Sequence, residues 1–289
     1  LAARGDVVEL SLGQVRGRSY DGYIGREFLG IPYGKATRFN VAVPADPWHP
    51  AVLDATQYQP SCMRPGVANM SEDCLYLNVY TPVASTLKAN RSLKSPVIVW
   101  FHGGSFMYGA GSDTTMESVQ RLVNEDRLIV VSINYRLGVF GFLGSERLRM
   151  HASDEGSYEG AQTGNMGTLD QHLALRWVQA HIERFDGDPG KVSVMGWSAG
   201  AASASVHLSM PASRGLFGKA FMLSGGFVDW AAQTMDDAEA DYDRLLAKSG
   251  CQREPRCQAR GPPCLSPSAG PRPGAMGAEQ SAVQECCRC

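Results

Sequence analysis

The 289-residue sequence lacks the features that mark several specialised classes of protein. It contains no run of about 18 apolar residues, so no membrane-spanning helix is predicted. Its formal net charge is only −2, which argues against nucleic acid as the main partner, because nucleic-acid binding depends on a strongly basic surface. The N-terminus, LAARGDVVEL, has neither an initiator methionine nor an apolar signal region, which predicts a removed signal or a fragment.

Cysteine is scarce until the end of the chain. Cys62 and Cys74 are the only cysteines before residue 251, and six more follow. Two Asn-X-Ser triplets begin at Asn69 and Asn90, so both asparagines are candidates for glycosylation. The triplets and the cysteine pair favour an oxidising, secretory compartment. The sequence therefore predicts a secreted or extracellular-facing glycoprotein, with two free thiols in a cytosolic protein as the alternative.

Residues 1–250 alternate between strand-like and helix-like patterns, and 44% of the whole chain is hydrophobic, which predicts one α/β domain with a sizeable core. Continuous apolar runs at 95–104, 127–136 and 219–226 are typical of strands buried on both faces of a parallel sheet. Residues 168–185 carry apolar side chains at helical spacing. This alternation indicates a mainly parallel central sheet with helices on both faces.

The composition changes after residue 250. Residues 251–289 contain six prolines and very few large aliphatic side chains, so this tail is predicted to be disordered. A reading frame altered by a splice or frameshift event is the favoured origin of the tail. A genuine cysteine-rich tail is the alternative.

The stretch VSVMGWSAGAAS, residues 192–203, carries the strongest indication of chemistry. Ser198 stands between Gly196 and Gly200, after an apolar strand and before a helix of small residues. In this context a Gly-X-Ser-X-Gly turn raises the serine hydroxyl above the edge of the sheet, and the glycines allow strand and helix to approach closely. Taken alone, the motif is equally consistent with a purely structural turn.

A second stretch, HGGSF at residues 102–106, ends the apolar run that begins at residue 95. Hydrolases with a Gly-X-Ser-X-Gly turn build their oxyanion hole from N–H groups of such a loop and of the residue after the nucleophile, here Ala199. The two elements stand in the expected order. Together they favour acyl-transfer chemistry over a chance pair of tight turns.

Longer stretches show a resemblance to a known family. They are FLGIPY (28–33), SEDCLYLNV (71–79), WFHGG (100–104), NYRLG (134–138), GNMGTLDQ (164–171), FDGDP (185–189) and the serine turn. These stretches resemble the type-B carboxylesterase/cholinesterase family of α/β-hydrolases, over residues 8 to about 251. The resemblance implies an α/β-hydrolase fold without its C-terminal part. If the later strands are absent, residues 219–226 become an exposed apolar edge of the sheet. It also implies a carboxylic ester hydrolase that forms a serine acyl-enzyme and uses no metal or other cofactor.

The resemblance assigns roles to residues around the serine. It implies Ser198 as the nucleophile and the N–H groups of Gly104, Ser105 and Ala199 as the oxyanion hole. Ser105 stands where many members carry a third glycine, so the hole depends on whether the backbone there tolerates a Cβ. Trp197 replaces the glutamate of cholinesterases, which argues against choline esters as substrates.

Other matches imply structural roles. Cys62 and Cys74 correspond to a family disulfide, Arg38 and Glu72 to an ion pair, and Asp170 to a helix residue that supports the scaffold.

The sequence offers no counterpart of the acid and histidine that complete the family's triad. His207 is the only histidine after Ser198, and nine residues of helix separate the two by about 13 Å, too far for a general base. The chain as it stands is therefore predicted to have negligible esterase turnover, with a small-molecule carboxylic ester as the partner of a complete form. The alternative is a non-catalytic, neuroligin-like adhesion protein.

Overall fold

A computed structural model describes residues 7–19, 25–82, 94–149 and 162–249. The predicted domain boundary at residue 250, the predicted disorder of residues 251–289 and the candidate glycosylation site Asn90 lie outside these ranges.

The described residues form fourteen strands and five α-helices. The strands are β1 Val7–Leu10, β2 Gly13–Arg16, β3 Arg18–Ser19, β4 Gly25–Pro32, β5 Gly34–Lys35, β6 Val43–Pro44, β7 Val52–Asp54, β8 Ser61–Cys62, β9 Met70–Ser71, β10 Tyr76–Pro82, β11 Ser95–Phe101, β12 Ile129–Ile133, β13 Gly187–Trp197 and β14 Lys219–Leu223. The helices are α1 Met116–Asn124, α2 Gly138–Phe142, α3 Met166–His181, α4 Ala199–Ser209 and α5 Met235–Ser249. None of these helices is both long enough and apolar enough to cross a bilayer.

The central sheet contains seven strands in the order β14-β13-β11-β12-β10-β4-β3. β12, β11, β13 and β14 pair in parallel, whereas β10 runs antiparallel to both β12 and β4, and β3 antiparallel to β4. The apolar runs identified in the sequence therefore form the parallel half of the sheet. The strands before residue 83 add an antiparallel half, as in an α/β-hydrolase fold.

Helix α3 covers one face of this sheet through the predicted apolar stripe. Leu175 and Val178, together with Ile182 in the 3₁₀ turn that follows, are fully buried, and Leu173 is nearly so. Leu169 is only half-buried. Burying such side chains against the sheet is the main source of stability for a helix of this kind.

Residues 219–226 are not buried on both faces, as their apolar run alone predicts, but they do form the exposed apolar edge expected when later strands are absent. Among the described strands, β14 pairs only with β13 and lies at the edge of the sheet. Phe221 and Leu223 are consequently 48% and 44% exposed. An apolar run identifies a strand, but it does not reveal whether neighbouring elements cover that strand.

A buried ion pair joins α3 to the loop after β12. The guanidinium of Arg136 donates to both carboxylate oxygens of Asp170, at 2.8 Å and 2.7 Å, and the backbone N–H of Arg136 also donates to this carboxylate, at 3.1 Å. The side chains are 5% and 0% exposed. Asp170 therefore has the predicted supporting role, since it holds the loop after β12 against α3. The predicted pair of Arg38 and Glu72 also forms, with Nε 2.9 Å from Oε2.

Removing one member of the buried pair should destabilise the protein strongly. We expect Asp170→Ala to lower the free energy of unfolding by about 3–5 kcal/mol, because Arg136 is left as an uncompensated buried charge. Asp46→Ala is the matched control, since Asp46 pairs with Lys35 on the surface, and it should cost at most about 1 kcal/mol. Chemical denaturation measures both changes, and equal effects of the two variants would contradict the assigned role of the buried pair.

Candidate active site

Ser198 occupies the turn that joins β13 to α4. Its backbone is left-handed, with φ 54° and ψ −119°, a conformation that residues with a Cβ adopt at an energetic cost. Its N–H donates to the carbonyl of Leu223 in β14 at 2.8 Å, and its carbonyl accepts from the N–H of Ala202 at 3.0 Å. The adjacent strand and helix therefore hold this turn in place, and the side chain of Ser198 remains half-exposed.

The two glycines of the motif allow strand and helix to approach closely. A Cβ on Gly196 would overlap the carbonyl of Gly200, and a Cβ on Gly200 would overlap the carbonyl of Phe101 in β11. A third glycine, Gly225, is also required, because a Cβ there would overlap the carbonyl of Ser198. The sequence motifs do not predict this role. Its only sequence signal is the Gly-Gly pair directly after β14.

The HGGSF loop lies directly against the serine turn. A Cβ on Gly103 would lie 3.3 Å from the Cβ of Ser198 and 2.7 Å from the carbonyl oxygen of Trp197. β11 and β13 are parallel neighbours, with Phe101 opposite Gly196, so both strands end at the same edge of the sheet. Motifs that are 95 residues apart in the chain thus meet at one site.

This loop leaves backbone donors free. Gly104 has φ 115°, and its carbonyl accepts the N–H groups of both Met107 and Tyr108 at 2.9 Å. Ser105 has φ 54°, so it adopts a left-handed backbone despite its Cβ. Within the described ranges, the N–H groups of Gly104, Ser105 and Ala199 donate to no other residue. Three N–H groups, two in this loop and one directly after Ser198, therefore remain free among the described residues.

The side chain of His102 packs beneath the HGGSF loop, on the interior side, and supports it. It is 4% exposed, stacks on the ring of Tyr135 with centroids 4.3 Å apart, and places Nδ1 2.9 Å from the carbonyl oxygen of Gly103. The hydroxyl of Tyr135 donates to the carbonyl of His102 at 2.7 Å. Burial lowers the pKa of His102 to about 4, so the imidazole is neutral near pH 7 and Nδ1–H donates to Gly103.

His207 is buried behind the turn and is engaged elsewhere. Its Nδ1 lies 2.9 Å from the hydroxyl of Ser213, and its Nε2 lies 3.2 Å from Oε1 of Gln171. Burial lowers its pKa to about 3. Of the described histidines, none forms a hydrogen bond with Ser198. This agrees with the sequence argument that His207 lies too far along the helix to act as base.

The acidic residues between 229 and 243 do not complete the site either. Five of the six lie on α5, and of these Asp236, Asp237 and Asp243 are exposed. Glu239 accepts from the hydroxyl of Ser145 at 3.1 Å, and Asp243 pairs with Arg147. Within the described ranges, no group of three or more His, Cys, Asp or Glu side chains is arranged to hold a metal ion.

Three large aromatic side chains on segments near the serine turn are exposed. Trp197, Tyr108 and Phe227 are 54%, 52% and 72% exposed. Trp197 also lines a groove of about 500 Å³ that extends from the HGGSF loop along the α1 side of the sheet, together with Trp100 and Met195. A largely apolar groove, which Asp113 also lines, therefore lies next to the serine turn.

The predicted disulfide is present between Cys62 and Cys74, and both residues are buried. Asn69 lies in the loop that this disulfide closes, and its side chain is exposed.

Comparison with known proteins shows that this chain is similar to esterases. Residues 4–265 match the model of the carboxylesterase family. The chain is 40% identical to a para-nitrobenzyl esterase of Bacillus subtilis over 247 residues and 39% identical to an acetylcholinesterase of Bungarus fasciatus over 267 residues, alignments that cover 81% and 84% of this chain. Among solved structures, a PNB esterase superposes with a TM-score of 0.72 at 39% identity, covering 85% of this chain.

The chain spans less than half the length of these relatives. The alignments cover 45% of the Bacillus subtilis esterase, 41% of the acetylcholinesterase and 49% of the PNB esterase structure.

The close approach at the serine turn predicts a strong effect of one added methyl group. We expect Gly200→Ala to lower the free energy of unfolding by about 2 kcal/mol or more, because the new Cβ must displace the β11 carbonyl. Gly218→Ala is the control, since a Cβ there meets no atom within 4 Å, and it should change stability little or increase it slightly. Thermal or urea unfolding tests both, and a neutral Gly200→Ala would contradict the close contact.

The buried His102 predicts a loss of stability in acid. Between about pH 6.5 and pH 4 the unfolded chain binds a proton at this imidazole and the folded chain does not, so stability falls as the pH falls, by up to about 1.4 kcal/mol per pH unit. His102→Gln should remove the uptake of about one proton on unfolding in this range, and with it about 1.4 kcal/mol per pH unit of the slope. His49→Gln is the control because its side chain is exposed. Urea unfolding at several pH values measures the slope, and an unchanged slope in His102→Gln would refute the prediction.

Proposed function

Because the chain belongs to the carboxylesterase family, we propose that it carries the nucleophile and the oxyanion hole of a carboxylic ester hydrolase. The observation that supports this most directly is the close approach of Gly103 to the half-exposed Ser198, since the N–H groups of Gly104 and Ser105, which follow Gly103, donate to no other described residue. A turn with a purely structural role needs no such donors.

In the proposed reaction, the hydroxyl oxygen of Ser198 attacks the carbonyl carbon of an ester while its proton passes to a general base. The N–H groups of Gly104, Ser105 and Ala199 donate to the negatively charged oxygen of the tetrahedral intermediate. Collapse of this intermediate expels the alcohol, which takes up the proton, and leaves an acyl-enzyme. Water then attacks the acyl-enzyme, which releases the acid and regenerates Ser198.

The described residues supply no base for this proton transfer. Both ring nitrogens of His207 are engaged, and His102 is stacked and buried. A base for Ser198 must therefore come from outside the described residues. For the 289-residue chain by itself we expect Ser198 to be correctly positioned but turnover to be inefficient. A serine without its histidine keeps only the rate acceleration that comes from the oxyanion hole and from substrate binding.

The surroundings of Ser198 favour uncharged, apolar esters as substrates. Trp197 occupies the position directly before the nucleophile, and with Tyr108 it presents aromatic surface to solvent. Neither side chain provides the negative charge that would attract a cationic alcohol such as choline. We therefore place the chain with esterases of neutral substrates rather than with enzymes that cleave choline esters.

The region around Cys62 and Cys74 is consistent with a secretory origin. The disulfide needs an oxidising environment to persist, and the exposed Asn69 in its loop is open to glycosylation. A secreted glycoprotein thus remains the proposal for this protein.

A fluorophosphonate probe tests the assignment of Ser198. We expect the probe to label the purified chain at Ser198, slowly but at a single site, because the free N–H groups stabilise the phosphonylated serine. Ser198→Ala should abolish labelling. Ser209→Ala, which alters an exposed serine on the same helix, should leave labelling unchanged. Peptide mass spectrometry identifies the labelled residue.

Turnover of a para-nitrobenzyl ester provides the second measurement. Relative to the Bacillus subtilis esterase, we expect the rate of the isolated chain to be lower by a factor of about 10⁴ or more. Labelling that is absent from a folded chain, or equal in Ser198→Ala, would overturn the proposal and favour the non-catalytic adhesion protein.

A further inference from the structure

The helix that follows Ser198 is tied to its surroundings by buried polar side chains that the proposed reaction does not use. We propose that His207 is a positioning residue, which holds the first turn of α4 through a continuous, one-directional chain of hydrogen bonds. The inference rests on the proposed function, because that turn carries Ser198 and Ala199.

The chain of hydrogen bonds contains four links. The hydroxyl of Ser213 lies 2.9 Å from Nδ1 of His207, and Nε2 of His207 lies 3.2 Å from Oε1 of Gln171. Nε2 of Gln171 donates to the hydroxyl oxygen of Ser203 at 2.9 Å, and that hydroxyl donates to the carbonyl of Ala199 at 3.1 Å. The chain thus runs from the 3₁₀ turn Pro211–Ser213, through α4 and α3, back to the residue after the nucleophile.

The direction of these bonds admits one tautomer of His207. Oε1 of Gln171 can only accept, so Nε2 of His207 must carry the proton. Nδ1 is then an acceptor and takes the proton of the Ser213 hydroxyl. Every donor in the chain consequently points towards the carbonyl of Ala199, an arrangement in which hydrogen bonds strengthen one another.

The surroundings keep His207 neutral. The side chain is 1% exposed and packs against the ring of Phe101, with centroids 5.4 Å apart. The titratable group that faces it is His172 of α3, whose Nδ1 lies 3.4 Å from the same Ser213 hydroxyl. No acidic side chain among the described residues forms a hydrogen bond or ion pair with His207. A charged imidazole would have no counterion here and would disrupt the bond from Ser213.

Loss of the His207 hydrogen bonds should therefore change the position of the serine turn. Without the imidazole, Gln171 loses the partner that orients its amide, and α4 loses one of the two hydrogen bonds that join it to Gln171 of α3. The first turn of α4 is then free to shift against β11, where Gly200 already touches the carbonyl of Phe101. Small displacements of catalytic groups are enough to reduce reactivity by an order of magnitude or more.

Two substitutions of His207 separate positioning from packing. His207→Phe keeps a ring against Phe101 but removes both hydrogen bonds, and it should slow fluorophosphonate labelling of Ser198 by about tenfold. His207→Gln can still accept from Ser213 and donate to Gln171, so labelling should stay within about threefold of that of the unchanged chain. His181→Gln alters a buried histidine that packs against Trp177 outside the chain of hydrogen bonds, and it should leave the labelling rate unchanged.

Two further readouts do not depend on the reactivity of Ser198. In ¹⁵N-imidazole NMR of the full chain, with signals assigned by His207→Gln, we expect His207 to be the Nε2–H tautomer and to remain neutral at pH 6. Hydrogen exchange of the α4 amides should be about tenfold faster in His207→Phe than in His207→Gln.

The outcomes distinguish this proposal from the proposed function. An Nδ1–H tautomer, a charged imidazole at pH 6, or unchanged α4 exchange in His207→Phe would overturn the positioning role. So would a folded His207→Phe that labels as fast as the unchanged chain. An unchanged chain that is not labelled, but in which His207 shows the expected tautomer and exchange pattern, would contradict the function assigned to Ser198 and leave the chain of hydrogen bonds supported.

Discussion

The candidate site depends on the close contact between α4 and β11. Gly200 packs against the backbone carbonyls of Phe101 and His102, and Gly196 packs against Gly200. Because no side chain separates these backbones, the end of β13 bends sharply into the helix and Ser198 is held in a left-handed conformation. The same contact brings Gly103 to the serine. The strained turn at Ser198 and the approach of the HGGSF loop to it are therefore consequences of one packing constraint.

Buried polar groups restrain the two helices next to the site, α3 and α4. The Arg136–Asp170 pair fixes α3 to the loop after β12, and the chain of hydrogen bonds through His207 fixes α4 to α3. Such groups add little net stability when they are compared with well-packed apolar residues, but they are costly to disrupt once buried. Here they restrict the position and orientation of the two helices relative to the strand ends.

Much of the fold and of the site followed from local sequence patterns. The apolar runs identified β11 and β12, the helical spacing identified α3, and the Gly-X-Ser-X-Gly motif identified the turn at Ser198. The prediction for residues 219–226 was wrong about burial, since Phe221 and Leu223 are exposed at the sheet edge. Burial of a strand depends on elements far away in the chain, which local periodicity does not report.

The sequence by itself determined which segments form β11, β12 and β14, and which serine stands on the turn from strand to helix, because these properties depend on neighbouring residues. Only the tertiary structure decided that Gly103 touches Ser198, that the ring nitrogens of His207 bind Ser213 and Gln171, and that three N–H groups remain free. The physical reason is strand order: parallel pairing of β11 with β13 brings together residues that are 95 positions apart, and no local pattern encodes that pairing.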